Sequence, residues 1–153
     1  MPRQTPVALI GLALALALSA CAEPPPPPQP TTVALQITGE EGMNGGAPAR
    51  IKVYYLTADA NFIASDFFAL WEEGGGTLGA DLVTIDEYLV APGASIEDAK
   101  TFDAAVPHMG VVAGLRDIDN PGWKATQDLS PRAPNAIGLT VTSEGVKVAP
   151  AGE

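Results

Sequence analysis

The chain has 153 residues and a formal net charge of −10 at pH 7, from 18 acidic and 8 basic side chains. Such a surface repels nucleic acids and anionic lipid headgroups, so binding to either is disfavoured. Acidity selects no partner by itself, because it is also an ordinary way for a protein to remain soluble. Charge therefore excludes classes of partner without choosing one.

The N-terminus predicts an export signal that ends at a cysteine. Arg3 gives a positive start, residues 7–18 form an apolar stretch, and Ser19-Ala20 are the small residues that precede a peptidase cut. The stretch is too short to cross a bilayer as a helix, which needs about 20 residues. Because Cys21 follows directly, the segment resembles the lipobox of bacterial lipoproteins. The alternative is an ordinary signal peptide that happens to be followed by cysteine.

A lipobox implies a diacylglycerol on the Cys21 thiol and an acyl chain on its amine, with no other cofactor. Cys21 is the only cysteine, so no thiol would remain for a disulfide or a metal-thiolate site. Five consecutive prolines within residues 23–30 then predict a polyproline II tether, with a PxxP docking motif as the alternative. We expect a signal peptide over 1–20, the lipidated cysteine and tether over 21–31, and a folded domain over 32–150.

From residue 31 onward the hydrophobic pattern is mostly that of β-strands. Apolar and polar residues alternate, as in Val33, Leu35 and Ile37, which gives each run one face for a core. Ser143-Glu144-Gly145 predicts a tight hairpin turn. Residues 95–98 fit either a strand or a short helix start. Eight short strands at this spacing predict a β-sandwich; they are 33–38, 51–55, 83–90, 98–102, 109–115, 123–127, 137–142 and 146–148.

One segment has helical rather than strand periodicity. Ser65 is expected to cap a helix with Asp66 in its first turn, and the glycines at 74–76 are expected to end it. Its apolar stripe is expected to join the core rather than hold a cofactor: Phe67, Leu70 and Trp71. The segment is a helical insertion, since the chain has too few helices to cover a parallel sheet.

The residues needed for catalysis or metal binding are scarce along the chain. His108 is the only histidine and has no serine nearby in sequence, so a structural role is expected. Zinc needs three or four ligands, and the sequence does not supply such a set. Residues 117–122 faintly resemble the start of a calcium loop, but the glutamate that should close such a loop is absent. We expect no enzyme, no metal site and no small-molecule substrate.

Several segments, in their order behind Cys21, match a known family across 33–148. They are 49–56, 62–70, 78–82, 109–113 followed by Arg116-Asp117, then Trp123-Lys124, and 146–148. In this the chain resembles the outer-membrane lipoprotein of the type VI secretion system, the TssJ (VasD-like) family. The resemblance implies a mainly β, transthyretin-like two-sheet β-sandwich with a short helical insertion.

The resemblance also implies a structural function. Such a lipoprotein faces the periplasm from the outer membrane and binds the periplasmic domain of the inner-membrane TssM subunit. It implies that the loop between the first two strands contributes to that contact: Glu41, Met43, Asn44, Gly45, Gly46 and Pro48. Met43 and Asn44 are the main candidates, and Met43 is expected to be exposed. A tolerated insertion is the alternative for this loop.

Two other functions remain open at this stage. One is a periplasm-facing lipoprotein that binds a small ligand or assists envelope assembly, which a deep apolar pocket would favour. The other is an anchored hydrolase, which would need His108 to face both a nucleophile and a carboxylate.

Overall fold

The computed structural model describes residues 24–117 and 119–152, so Cys21 and the predicted signal peptide lie outside the described residues. The eight predicted strands are all present, and residues 95–98 belong to one of them. The strands are β1 Thr31–Gly39, β2 Ala49–Leu56, β3 Leu82–Val90, β4 Ser95–Phe102, β5 His108–Gly114, β6 Lys124–Asp128, β7 Pro134–Thr142 and β8 Gly145–Pro150. The two α-helices are α1 Ala60–Ala64 and α2 Phe67–Leu78. No helix in the described ranges is long and apolar enough to span a membrane.

The strands form two four-stranded sheets. The first has the order β4-β1-β7-β8 and the second β3-β2-β5-β6. All neighbours are antiparallel except β1 and β7, which pair in parallel. Strands β7 and β8 are joined by the two-residue hairpin loop Ser143-Glu144. This arrangement confirms the transthyretin-like two-sheet sandwich.

The main core lies between the two sheets. Val33, Leu35 and Ile37 of β1 point inward and are at most 3% exposed. They meet the inward side chains of β2 and β5. Burying each such side chain contributes about 1.5–3 kcal/mol, and a slip by one residue would turn all of them outward. The alternating pattern thereby fixes the register of the strands.

The helical insertion forms a third layer on the outer face of the second sheet. Tyr54, Leu56 and Val112 point outward from this sheet and are buried beneath α1 and α2. The Tyr54 hydroxyl donates a buried hydrogen bond of 2.7 Å to the carbonyl oxygen of Leu70. Strand β2 is therefore buried on both faces, which explains why its second half is continuously apolar.

Two details of the predicted helix are wrong. Asp66, not Ser65, caps α2, since its carboxylate accepts a 2.9 Å hydrogen bond from the amide of Ala69. The glycines at 74–76 do not end α2, which continues to Leu78 with a break at Glu73 (φ −123°, ψ 27°). Gly74 instead lets the helix approach the sheet, because a Cβ there would lie 3.0 Å from the Tyr54 ring.

The strand directions separate the connections into two ends. We call the end that carries the connections 40–48, 91–94, 115–123 and 143–144 the loop end. The opposite end, which we call the tether end, receives residues 24–30 and carries 103–107 and 129–133. Strand β1 runs nine residues from one to the other, so the two ends lie about 30 Å apart.

We predict that Gly110→Ala destabilises the protein by about 1–3 kcal/mol, because a Cβ at Gly110 would overlap the ring of Phe62. The matched control is Gly76→Ala, an exposed helical position where a Cβ meets no atom within 4 Å. That change should stabilise α2 by about 0.5–1 kcal/mol. Urea unfolding followed by tryptophan fluorescence measures both, and equal effects of the two changes would contradict the close packing of Phe62.

Candidate partner-binding surface at the loop end

Met43 of the first loop is buried rather than exposed, so the expectation of an exposed Met43 is wrong. The loop folds back through a tight turn at Met43–Gly46, and the Met43 side chain is 0% exposed within the main core. Its Sδ approaches Gly39 so closely that a Cβ there would lie 2.6 Å away. A flexible apolar side chain is well suited to close the open end of a sandwich.

Asn44 joins the first loop to the loop that follows β5. Its side chain is buried, its Nδ2 donates a 2.9 Å hydrogen bond to the Pro48 carbonyl, and its Oδ1 accepts one of 2.7 Å from the Arg116 amide. Its backbone is left-handed (φ 48°, ψ 35°), which asparagine tolerates better than most residues. A role for Met43 and Asn44 in partner binding stays a prediction, and their burial limits it to shaping the loop.

The exposed part of the first loop is Glu40, Glu41, Gly42, Gly45, Gly46 and Pro48. Gly45 (φ 64°) and Gly46 (φ 78°) are left-handed and form a tip whose backbone no side chain covers. Beside the tip is a cleft of about 170 Å³, lined by Asn44, Gly45, Leu115, Arg116, Asp117, Asn120, Thr142 and Ser143. Three of the four connections at the loop end therefore contribute to one surface.

A second depression, of about 200 Å³, lies between the start of α2 and the 115–123 loop. Its lining is Phe67, Phe68, Ala113, Leu115, Asp117, Asp119 and Trp123. Phe67 stacks on Trp71 (centroids 5.2 Å apart, 17° between planes) and meets Trp123 and Phe68 edge to face at 5.5 and 5.4 Å. Sequence reasoning missed this surface, although two adjacent phenylalanines in a helix imply that one of them faces away from the sheet.

Lys124 is held beneath this aromatic cluster. Its Nζ donates hydrogen bonds to the carbonyls of Ile63 (2.7 Å) and Ser65 (2.9 Å) at the end of α1. It also lies 4.9 Å from the ring centroid of Trp123. Desolvation lowers the pKa of Lys124, and the nearby Asp66 carboxylate partly opposes that shift. This lysine completes α1 and is not a free surface cation.

In the turn with the faint calcium pattern, two side chains accept hydrogen bonds from the backbone of the turn itself. The Asp117 carboxylate accepts from the Asp119 amide at 3.2 Å, and the Asn120 side chain accepts from the Gly122 amide at 2.8 Å. Gly122 lies directly against the backbone of the β7–β8 hairpin at Gly145, where a Cβ would not fit. These contacts favour a plain turn over a cation loop.

His108 lies at the tether end, away from both depressions. Its Nδ1 is 3.0 Å from an oxygen of Asp128 and 3.9 Å from one of Asp59. Sequence reasoning missed this group because its members are far apart along the chain. The β5–β6 register places Asp128 beside His108, and the turn after β2 adds Asp59. One imidazole and two carboxylates thus offer ligand atoms within 4.8 Å of one another, a group that could hold a metal ion. The expected absence of a metal site stays a prediction.

Fold and surface together define the class of protein: a small transthyretin-like sandwich whose shaped surfaces are built by loops and a helical insertion. The sequence pattern of the type VI secretion lipoproteins, described as VasD, EvfM and TssJ, matches residues 31–144. The chain therefore belongs to the type VI secretion lipoprotein family. A comparison with curated proteins gives no significant match.

Solved structures of this class are similar. The type VI lipoprotein TssJ1 of Pseudomonas aeruginosa is 29% identical, with a TM-score of 0.76 over 81% of this chain and 98% of that one. Serratia marcescens Lip, described as a membrane bound component of the type VI secretion system, is 22% identical, with a TM-score of 0.71 over 81% and 99%. A structure described as the TssM C-terminal domain from EAEC shares the fold at 20% identity, with a TM-score of 0.63 over 76% and 99%.

We predict that Met43→Ala lowers the free energy of unfolding by about 2–5 kcal/mol, because it leaves a cavity at the open end of the core. Glu41→Ala, two residues earlier and exposed, should change stability by less than about 0.5 kcal/mol. Urea unfolding of both variants checks this. A Met43→Ala variant as stable as Glu41→Ala would mean that Met43 is not part of the core.

Proposed function

We propose that this lipoprotein anchors the type VI secretion membrane complex in the outer membrane. Lipid on Cys21 holds the protein there, facing the periplasm, and the loop end binds the periplasmic domain of the inner-membrane TssM subunit. Membership of the family supports this role. It requires no catalytic group, no small-molecule substrate and no cofactor beyond the lipid.

The observation that carries the proposal is the placement of the two ends. The proline-rich tether, residues 24–30, is exposed and enters the sandwich at the tether end. The first loop and the cleft beside it lie at the loop end, about 30 Å away along β1. A polyproline tether adds about 3.1 Å per residue. An anchor at Cys21 thus directs the loop end away from the outer membrane, toward a partner in the periplasm.

The loop end is also built as a preorganised surface. One hydrogen bond of Asn44 closes the first loop on itself at Pro48, and the other joins this loop to the 115–123 loop at Arg116. A surface that is already ordered loses less conformational entropy on binding, so more of its contact energy appears as affinity. A partner interface of ordinary size buries about 800 Å² on each protein, which several loops together can provide.

The cavities support a protein partner over a small ligand. The two depressions at the loop end measure about 170 and 200 Å³, below the roughly 300–1,000 Å³ of most ligand pockets. A larger concavity of about 630 Å³ lies on the outer face of the first sheet, lined by small exposed residues such as Ala34, Ala99 and Ala136. It is an open depression along a sheet face, so its walls would not surround a small ligand.

We predict that Cys21→Ser abolishes co-flotation with outer membrane, because the serine hydroxyl cannot accept the lipid that a lipobox cysteine receives. The wild type and the control Ala22→Ser, which keeps the cysteine, should float with the outer-membrane fraction. Membrane flotation of cell lysates measures all three. A Cys21→Ser protein that still floats with outer membrane would overturn the proposed anchor.

We predict that Gly45→Asn weakens binding to the purified TssM periplasmic domain at least tenfold, because it adds a side chain at the exposed tip. Asparagine tolerates the left-handed backbone of Gly45, and a Cβ there meets no atom within 4 Å, so the fold should persist. The control Ala104→Asn adds the same side chain at the tether end and should leave affinity unchanged. Unchanged affinity of Gly45→Asn in a calorimetric titration would remove the tip from the interface.

A further inference from the structure

We infer that the depression beside α2 is a second docking site, which receives a protein segment with an apolar side chain flanked by lysine or arginine. We call it the Phe68 site and define it by Phe67, Phe68, Leu115, Asp117, Asp119 and Trp123. The inference rests on the proposed function and deepens it, because the segment is assigned to the same TssM partner. The first loop is a separate part of the surface.

The apolar half of the Phe68 site is exposed yet held in place. Phe68 is 62% exposed, and in the described part of the chain only Ile63, Val83 and Leu89 are comparable large apolar side chains on the surface. The sheet-facing side of α2 is taken by Phe67, Leu70 and Trp71, so Phe68 plays no part in the core. Its edge-to-face contact with Phe67 orders it in advance, which favours its use as a binding anchor.

The other half of the Phe68 site is acidic. Asp117 and Asp119 line it and are exposed, and neither forms an ion pair among the residues that the structure describes. Glu72, four residues after Phe68 and therefore on the same face of α2, adds a further exposed carboxylate. Lys124 forms no ion pair with Asp117 or Asp119 among the described residues, since its ammonium is turned to the carbonyl oxygens at the end of α1. The complementary occupant is an apolar side chain with basic neighbours.

Position and size further identify the occupant. Leu115 and Asp117 line both the Phe68 site and the cleft at Asn44, so the two depressions are adjacent. One protein that contacts the loop tip would therefore also cover the Phe68 site. A volume of about 200 Å³ suits one or two side chains rather than a whole ligand. The acidic rim repels an anionic membrane surface.

The first test is calorimetric titration of the purified mature protein with the TssM periplasmic domain. Phe68→Ser should weaken binding at least tenfold, whereas Ile63→Ser, a change of similar exposure on α1 outside the site, should stay within twofold. Asp117→Asn with Asp119→Asn keeps an oxygen at position 117 for the turn. This double change should weaken binding and make the affinity less sensitive to salt concentration. The reason is that it removes two carboxylates whose attraction to a basic segment is screened by salt.

A second test needs no TssM. NMR titrations with the peptide acetyl-Lys-Phe-Lys-amide should shift the signals of Phe68 and the Trp123 indole, and the acetyl-Glu-Phe-Glu-amide counterpart should shift them far less. If TssM does not bind but the basic peptide maps to the Phe68 site, the proposed function and the assignment of the segment to TssM fail, and a docking site for an apolar side chain with basic neighbours stands. If TssM binds and Phe68→Ser has no effect, or the peptide shifts scatter over the surface, the docking site is overturned while the proposed function stands.

Discussion

The structure depends on the burial of β2 on both of its faces. Tyr55 points inward and packs on Phe102 of the first sheet, with ring centroids 4.7 Å apart. Tyr54 points outward, packs on Phe62 and hydrogen-bonds to Leu70. One strand thereby belongs to two cores, and the helical insertion cannot leave the sheet without exposing the second of them. Since Phe67 and Trp71 belong to the same packed layer, this constraint also positions the aromatic surface at the loop end.

The sandwich could be predicted from sequence because most strands bury only one face, and one-sided burial leaves an alternating pattern. The sequence pattern gives a wrong prediction where tertiary contacts determine the local conformation or the burial of a residue. A run of three glycines normally ends a helix, but Gly74 is required for the approach to Tyr54, and α2 continues past it. Met43 lies among glycines and an asparagine, a composition typical of exposed loops. Only the assembled sandwich contains the opening that Met43 fills.

The candidate site was predictable in part. Resemblance to a family pointed to the first loop, whose role in binding stays a prediction, and it could not distinguish the buried Asn44 from the exposed Gly45 beside it. The hydrogen bond from the Arg116 amide to Asn44 joins residues 72 positions apart, and no local pattern records such a contact. The cluster of Asp59, His108 and Asp128 is likewise a product of strand register. Long-range geometry, rather than residue type, makes these groups neighbours.

The course of β1 has a mechanical consequence. In the proposed role, tension between the two membranes enters at its tether end and leaves through the loop at its other end. The pull therefore runs along the strand, at right angles to its hydrogen bonds with β4 and obliquely to those with β7. Because β1 lies between β4 and β7, both ladders are loaded together in shear. The force is therefore shared among many hydrogen bonds at once and does not break them one after another. The domain is thus arranged to resist extension along the axis that joins anchor and partner.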